Sequence, residues 1–315
     1  MKFEEINKGY NSVFKPHKLS LGLVIPIENY AHGATPTMQQ HLERVKLAEA
    51  VGFKAAWVRD VPFNVPSFGD VGQMYDPFVY LGYLAAQTTN IALGTASIAL
   101  PLHHPVHVAK SAATIDQLSN GRLILGVASG DRMEEYPAMN IKYEERGERF
   151  REAFNLIRNA QKDFPKLETR HYGNLNASLD ILPKPLGKKI PLLVTGHSQQ
   201  SLEWNAENSD GWMSYPKDAY SQRQTIKDWR DLISGGSKAS KPFMQPLYVD
   251  LQSDSGFKPE PIHLGFKIGS KYLVDYLFQL QEIGVNHLAF NLRFNKTDIS
   301  HTLDKLGDEV LSKFH

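Results

Sequence analysis

The chain of 315 residues has no cysteine. That absence removes disulfides, thiolate nucleophiles and zinc–sulfur centres together, and it fits a reducing compartment such as the cytoplasm. Net charge is nearly absent too, since 35 basic side chains against 34 acidic ones leave +1. Without a field of one sign the chain is not built to grip nucleic acid or an anionic membrane surface. No apolar run is long enough to span a bilayer, and the opening MKFEEINKGYN is too polar for a secretory signal. Also missing are a Gly-x-Gly-x-x-Gly turn after the first strand, a Walker loop and any Ser–His–Asp spacing. What is present is 42% hydrophobic, enough for a sizeable core.

The chain is organised around residues 91 to 130. Ile91 to Gly94 is a short apolar run ending in small residues, as a buried parallel strand would. Pro105 can open a helix, because its missing N–H needs no partner in a first turn. Val108, Ser111, Ala112 and Ile115 then share one face, and Asn120-Gly121 accepts the left-handed angles that end a helix. Leu123 to Val127 is the next strand. Strand, helix and strand in one piece make a βαβ unit, with small residues at both strand ends where backbone can approach a flat ligand.

The same alternation runs through the chain. Strands are predicted at Leu19–Ile25, Lys54–Val58, Leu192–Val194, Gly211–Met213, Phe243–Leu251 and Asn286–Phe290. Helices are predicted from Thr37 to Val51, from Asp76-Pro77 to about Asn90, and from Tyr143 to Phe164, where Phe150, Phe154 and Ile157 face inward. Further helices follow over Ser198–Asn208, Ala219–Ile233, Ser270–Ile283 and Asp298–Phe314, with a surface turn at Gly235–Lys238. Eight such repeats point to the α/β class. The expected fold is a (β/α)8 TIM barrel with insertions after helix 4 (residues 165–189) and strand 7 (252–269). Residues 1–315 are expected to form one domain, with any ligand at the C-terminal ends of the strands.

Several residues could carry chemistry there. Thr195 to Ser201 (TGHSQQS) joins strand five to its helix, and Ser198 and Ser201 could hold a phosphate with free backbone N–H groups, or Ser198 could simply be an N-cap. His103 and His107 stand four apart on a helix start, but no carboxylate lies at fixed spacing, so no metal is expected. Asp60 follows strand two and could accept a proton, pair with Arg59 or cap the loop. It is the one candidate for a catalytic group. Arg146 could bind an anion or face water. Glu134 and Glu135 read as a solvated loop pair, and Asn291 and Arg293 could reach the cavity. Trp57, Trp212, Tyr215 and Phe290 could wall a ring system or fill the core.

LGTASIALPLHHPVHVAKSAATIDQLSNGRLILGVASG resembles the signature region of the bacterial luciferase-like flavin monooxygenases. The likeness extends to AEAVGFKAAWV, ERGERFREAFNLI and TGHSQQSLEWNAENSDGW. It implies a barrel that binds FMN at its mouth. Position by position, Thr95, Ala96 and Ser97 would lie along the isoalloxazine, with a non-prolyl cis peptide between Ala96 and Ser97. Ser129 and Arg146 match positions touching the flavin's phosphate or ribityl side, and Gly196, His197, Ser198, Gln199, Gln200 and Ser201 match the phosphate cradle. The pattern also departs from the luciferases. Val61 stands where they carry a catalytic His, Ala128 where they carry a reactive Cys, and Ser129 replaces an Arg. The resemblance therefore implies a cytoplasmic monooxygenase taking reduced FMN from a separate flavin reductase and acting as a homodimer on a small organic substrate. A deazaflavin-dependent hydride-transfer enzyme and a non-catalytic flavin-binding barrel are the alternatives.

Overall fold

The computed structural model describes residues 2–31, 35–68, 74–236 and 239–314. Eight parallel strands close into a ring. They are β1 (Ser20–Val24), β2 (Ala55–Val58), β3 (Ala92–Thr95), β4 (Leu123–Ala128), β5 (Leu192–Thr195), β6 (Gly211–Met213), β7 (Phe243–Leu251) and β8 (His287–Asn291). Each pairs with the next, and β8 closes on β1 through Ser20↔His287 and Leu21↔Leu288. The helices that follow them in turn are α1 (His41–Val51), α2 (Pro77–Gln87), α3 (Pro105–Leu118), α4 (Arg146–Ala160), α5 (Leu202–Asn208), α6 (Ala219–Gly236), α7 (Ser270–Ile283) and α8 (Ile299–Lys305). The expected (β/α)8 barrel is what forms.

Strands such as AAWV and ALGT are buried at every residue because helices cover one side and the barrel interior the other. Inside the ring, large and small side chains share the space. Trp57 is fully buried, and a Cβ on Gly94 would lie 2.2 Å from its ring. His287 fills the room left by Gly22, where a Cβ would come within 2.6 Å of Nε2. Trp57 Nε1 donates to His287 Nε2 at 2.9 Å, so the imidazole proton sits on Nδ1, 2.6 Å from Ser20 Oγ.

The lower end is plugged by a helix the sequence did not reveal, Lys8–Val13, capped by the Asn7 side chain. Its Tyr10 and Val13, with Phe14, pack against Trp57, Ile124, Leu193, Met213 and Met244. The Tyr10 hydroxyl donates to Asp210 O at 2.8 Å. Nearby, Asn120 and Gly121 take positive φ (58° and 76°) after α3, as expected. They aim the buried Arg122 at five acceptors: Ser119 O, Thr88 Oγ1, Ile91 O, Ala85 O and Thr88 O.

Several expected boundaries move. α1 begins at His41, and Thr37 is not its cap: the Thr37 hydroxyl instead accepts from Gln39 N and donates to Glu28. The helix at 143–164 starts with a 3₁₀ turn, Tyr143–Glu145, and its α part stops at Ala160. Gly235 and Gly236 lie in the last turn of α6 rather than in a surface turn, and 237–238 fall outside the described residues. The last helix changes to π over Leu306–Val310 and 3₁₀ over Leu311–Lys313. Of the insertions, residues 165–189 hold a hairpin of Lys166–Glu168 and Asn174–Asn176. The segment expected as a long loop at 252–269 instead contains strands Glu260–Ile262 and Gly265–Ile268, the latter lying parallel to β7. No helix among the described residues is long and apolar enough to cross a membrane.

Burial pushes the His287 pKa down to about 3. In the unfolded chain a His titrates near pH ~6.5, so below that pH the unfolded state takes up a proton that the folded state refuses. Stability from this group is complete above about pH 6.5 and is lost as the pH falls, by at most ~1.4 kcal/mol per unit. Urea unfolding of the wild type and His287→Gln at decreasing pH should show a shallower acid slope in the variant, although the variant is less stable at neutral pH.

Candidate active site at the barrel mouth

Burial gives way at the C-terminal ends of the strands, where Ala96, Ser97, Ala128 and Thr195 are only half-buried. The Ala96–Ser97 peptide is cis, at the position the resemblance implies. Ala96 N donates to Val58 O at 2.7 Å, and Ile98 and Ala99 then pair with Val127 and Ala128. The ends of β2, β3 and β4 thus make one floor. The Ser97 hydroxyl bonds to Thr195 Oγ1, which carries the floor on to β5. Thr95 lies beneath it, fully buried, with its hydroxyl 2.7 Å from Gly126 O.

The loop after β5 turns sharply, with φ of 56° at Gly196, 49° at Ser198 and 59° at Gln199. Left-handed residues cannot begin an α-helix, so the expected start at Ser198 is corrected. Ser201 is the cap of α5, accepting from Trp204 N at 3.2 Å. Ser198 is buried, donating to Thr195 O at 2.8 Å and accepting from Ser129 N at 3.3 Å. Gln200 donates to Gly147 O at 2.9 Å and accepts from Arg151 Nε at 2.8 Å, which ties the loop to the start of α4. Gly147 is needed there, because a Cβ would lie 2.9 Å from that of Gln199. Arg146, one residue earlier, stacks 3.7 Å over the Tyr143 ring and donates through Nη1 to Tyr143 O. Its Nε is buried without a hydrogen-bond partner. A charged donor left in that state fits an anion, as do the exposed side chains of His197 and Gln199 close by. Hydrogen bonds thus link Ser97, Thr195, Ser198 and Ser129, and Gln200 ties the same loop to Gly147 beside Arg146.

At the edge of the floor, Asp60 Oδ2 accepts from Ala99 N at 3.0 Å and from His103 Nε2 at 2.7 Å. Its partner is thus neither Arg59, which donates to Tyr30 Oη, nor its own loop. Burial disfavours charge on His103, but the hydrogen bond and charge of Asp60, with Asp76 beyond, outweigh it and raise its pKa. The metal reading of His103 and His107 lapses here. His103 is held by Asp60, while His104 caps α3 and its ring centroid is 5.9 Å from that of His107. Of the supposedly solvated pair, Glu134 is exposed on Ser67, but Glu135 is 4% exposed and 3.7 Å from Arg132. The phase of the short helix Glu135–Ala138 separates the two, and no pattern in the sequence signals it. Burial raises the Glu135 pKa to about 7; Arg132 opposes the shift, and Asp60, Asp131 and Glu134 add to it. Trp57 and Phe290 belong to the core, Trp212 donates to Gly196 O, and Tyr215 is exposed. Asn291 accepts from Arg293 N, and the Arg293 guanidinium lies 5.0 Å from the centre of the Tyr30 ring.

A carboxyl whose pKa rises on folding favours the native state only while it is protonated. Stability from Glu135 is present below about pH 4.3 and falls as the pH rises through about 7. Glu135→Gln should therefore gain on the wild type between pH 5 and pH 8, by up to about 2.5 kcal/mol, read from urea midpoints at the two pH values.

The profile of luciferase-like monooxygenases matches residues 19–246. An uncharacterized protein of Mycobacterium tuberculosis is 28% identical over 269 residues, 80% of this chain and 87% of its own length. The alkanal monooxygenase beta chain of Photorhabdus luminescens is 32% identical over 117 residues, 37% of this chain and 34% of its own. Among solved structures, monooxygenase RslO1 of Streptomyces bottropensis superposes with a TM-score of 0.78 at 17% identity, covering 94% of this chain and 100% of that one. An F420-dependent secondary alcohol dehydrogenase in complex with an F420-acetone adduct gives 0.76 at 17%, covering 93% and 98%. The oxygenating constituent of 3,6-diketocamphane monooxygenase of Pseudomonas putida, in complex with FMN, gives 0.71 at 14%, covering 95% and 99%. At these identities the superpositions speak for the fold alone. The profile covers well over half of the chain, and the chain belongs to the luciferase-like monooxygenase family.

Proposed function

We propose that residues 1–315 form a single luciferase-like barrel domain acting as a two-component monooxygenase that uses reduced FMN and O2 on a small organic substrate. The observation that carries this reading is the cis Ala96–Ser97 floor, bonded through Ser97 to Thr195, together with the buried and unpartnered Arg146 Nε. Small side chains on the floor let a flat ring lie against backbone. Arg146, His197, Gln199 and the backbone of 196–201 would hold the phosphate, and Ser129 would set the loop through its bond to Ser198. Bound FMN supplies the redox chemistry, while the protein orients substrate and keeps water out. A separate flavin reductase would deliver the reduced cofactor, and the working form is a cytoplasmic homodimer.

A second reading is hydride transfer with a deazaflavin, supported by the likeness to the F420-dependent alcohol dehydrogenase.

Fluorescence titration with FMN and with F420 separates the readings. FMN should bind, and Arg146→Gln should weaken it at least about tenfold by removing a charge-assisted contact. F420 binding without FMN binding would decide for hydride transfer. FMN bound without any effect on its reaction with O2 would leave a non-catalytic barrel.

A further inference from the structure

Reducing O2 and moving a hydride to or from a carbonyl each need a proton delivered to, or taken from, an oxygen at the reacting end. Among the described residues, the floor itself holds no carboxylate or imidazole to do that. Its edge does. Asp60 lies two residues past Val58, whose carbonyl holds Ala96 N, and its Oδ2 holds Ala99 N, so the carboxylate stands at the edge of the floor. The side chain of Asp60 is 3% exposed and that of its partner His103 is 26% exposed. One end of the pair is sealed in the site and the other meets water.

We propose that Asp60 and His103 form the proton-transfer pair of this site, Asp60 facing the reacting group and His103 exchanging with solvent. The inference rests on the flavin reading above. The pair stores one proton between carboxylate and imidazole. That proton passes through Asp60 to the oxygen being reduced or to a substrate oxygen, and His103 is reprotonated from water. In the opposite direction Asp60 accepts a proton from a substrate hydroxyl, and His103 releases one to water. No electrons move in this step.

A structural role alone would not call for these residues. The Ala99 N–H needs only a neutral acceptor, and an amide at position 60 would serve it without the desolvation cost of a buried carboxylate. The surroundings bear on the charge of His103. Asp76 from the start of α2 acts on His103, and the Phe78 ring packs edge-on at 6.5 Å. From the segment after β4, Glu135 is coupled to Asp60 and balanced by Arg132, with Asp131 and Glu134 beyond. The neighbouring His104 is turned to the cap of α3.

The test uses the FMN-loaded protein, Asp60→Asn and His103→Gln. Imidazole nitrogen NMR should show His103 titrating above about 6.5 in the wild type and lower in Asp60→Asn. Oxidation of bound reduced FMN by O2, followed between about pH 5 and 9, should inflect with the His103 titration. Both variants should lose that inflection and slow at least about tenfold, with FMN affinity within about twofold of wild type. An inflection that survives in His103→Gln, or variants that lower only the melting temperature, overturns the proposal. FMN binding with an unmoved pH profile overturns it alone, whereas a wild type that binds no flavin removes the flavin reading and this proposal with it.

Discussion

One buried guanidinium holds the central unit in place. Arg122 sits at the entry to β4 and bonds to carbonyls at the end of α2, before β3 and at the end of α3. These are helix C-termini and loop carbonyls that have no other partner inside the fold, so each would otherwise be an unpaired acceptor away from water. A cation at the negative ends of two helices is also favoured by their dipoles. Because Arg122 fixes how α2, α3, β3 and β4 meet, it also fixes the spacing of the strand ends that carry Ala96–Ser97 and Ala128–Ser129. The Asn-Gly turn just before it matters for the same reason: only a left-handed pair brings the chain round to aim the side chain inward.

The mouth built on this frame is divided by charge. One flank, from Arg146 to Ser201, offers donors and an orphaned cationic N–H. The other, from Asp60 and His103 to Glu135 and Arg132, concentrates carboxylates with partners and shifts their protonation. Tyr136, next to Glu135, joins the two, donating to Ser129 O and packing edge-on against the Tyr143 ring that Arg146 covers. This division follows from which strand each loop leaves, and a (β/α)8 barrel makes it without any change to the core.

Much of this was legible in the sequence because it is periodic or local. Parallel strands buried on both sides appear as short apolar runs, and Phe150, Phe154 and Ile157 sit at helical spacing on α4 as expected. The cis pair and the phosphate-side loop were legible only through resemblance, since nothing in ALGTAS by itself requires them. What stayed hidden was set by tertiary contact. Asp60 and His103 are 43 residues apart, and no spacing rule joins a residue after β2 to one after β3. Ser198 and Ser201 are both good caps by type, and the left-handed Ser198–Gln199 pair decided between them. Thr37 was lost as a cap to a competing bond with Glu28, and six residues of KGYNSV are too few to show a helical period.

That six-residue helix has a consequence for translation. Tyr10 reaches Asp210 O across 200 residues of sequence, and its neighbours rest on Leu193, Met213 and Met244. The ribosome releases residues 7–14 long before those walls exist, so Tyr10, Val13 and Phe14 stay bare until Met244 has followed. Made before the walls it rests on, this plug docks only after them.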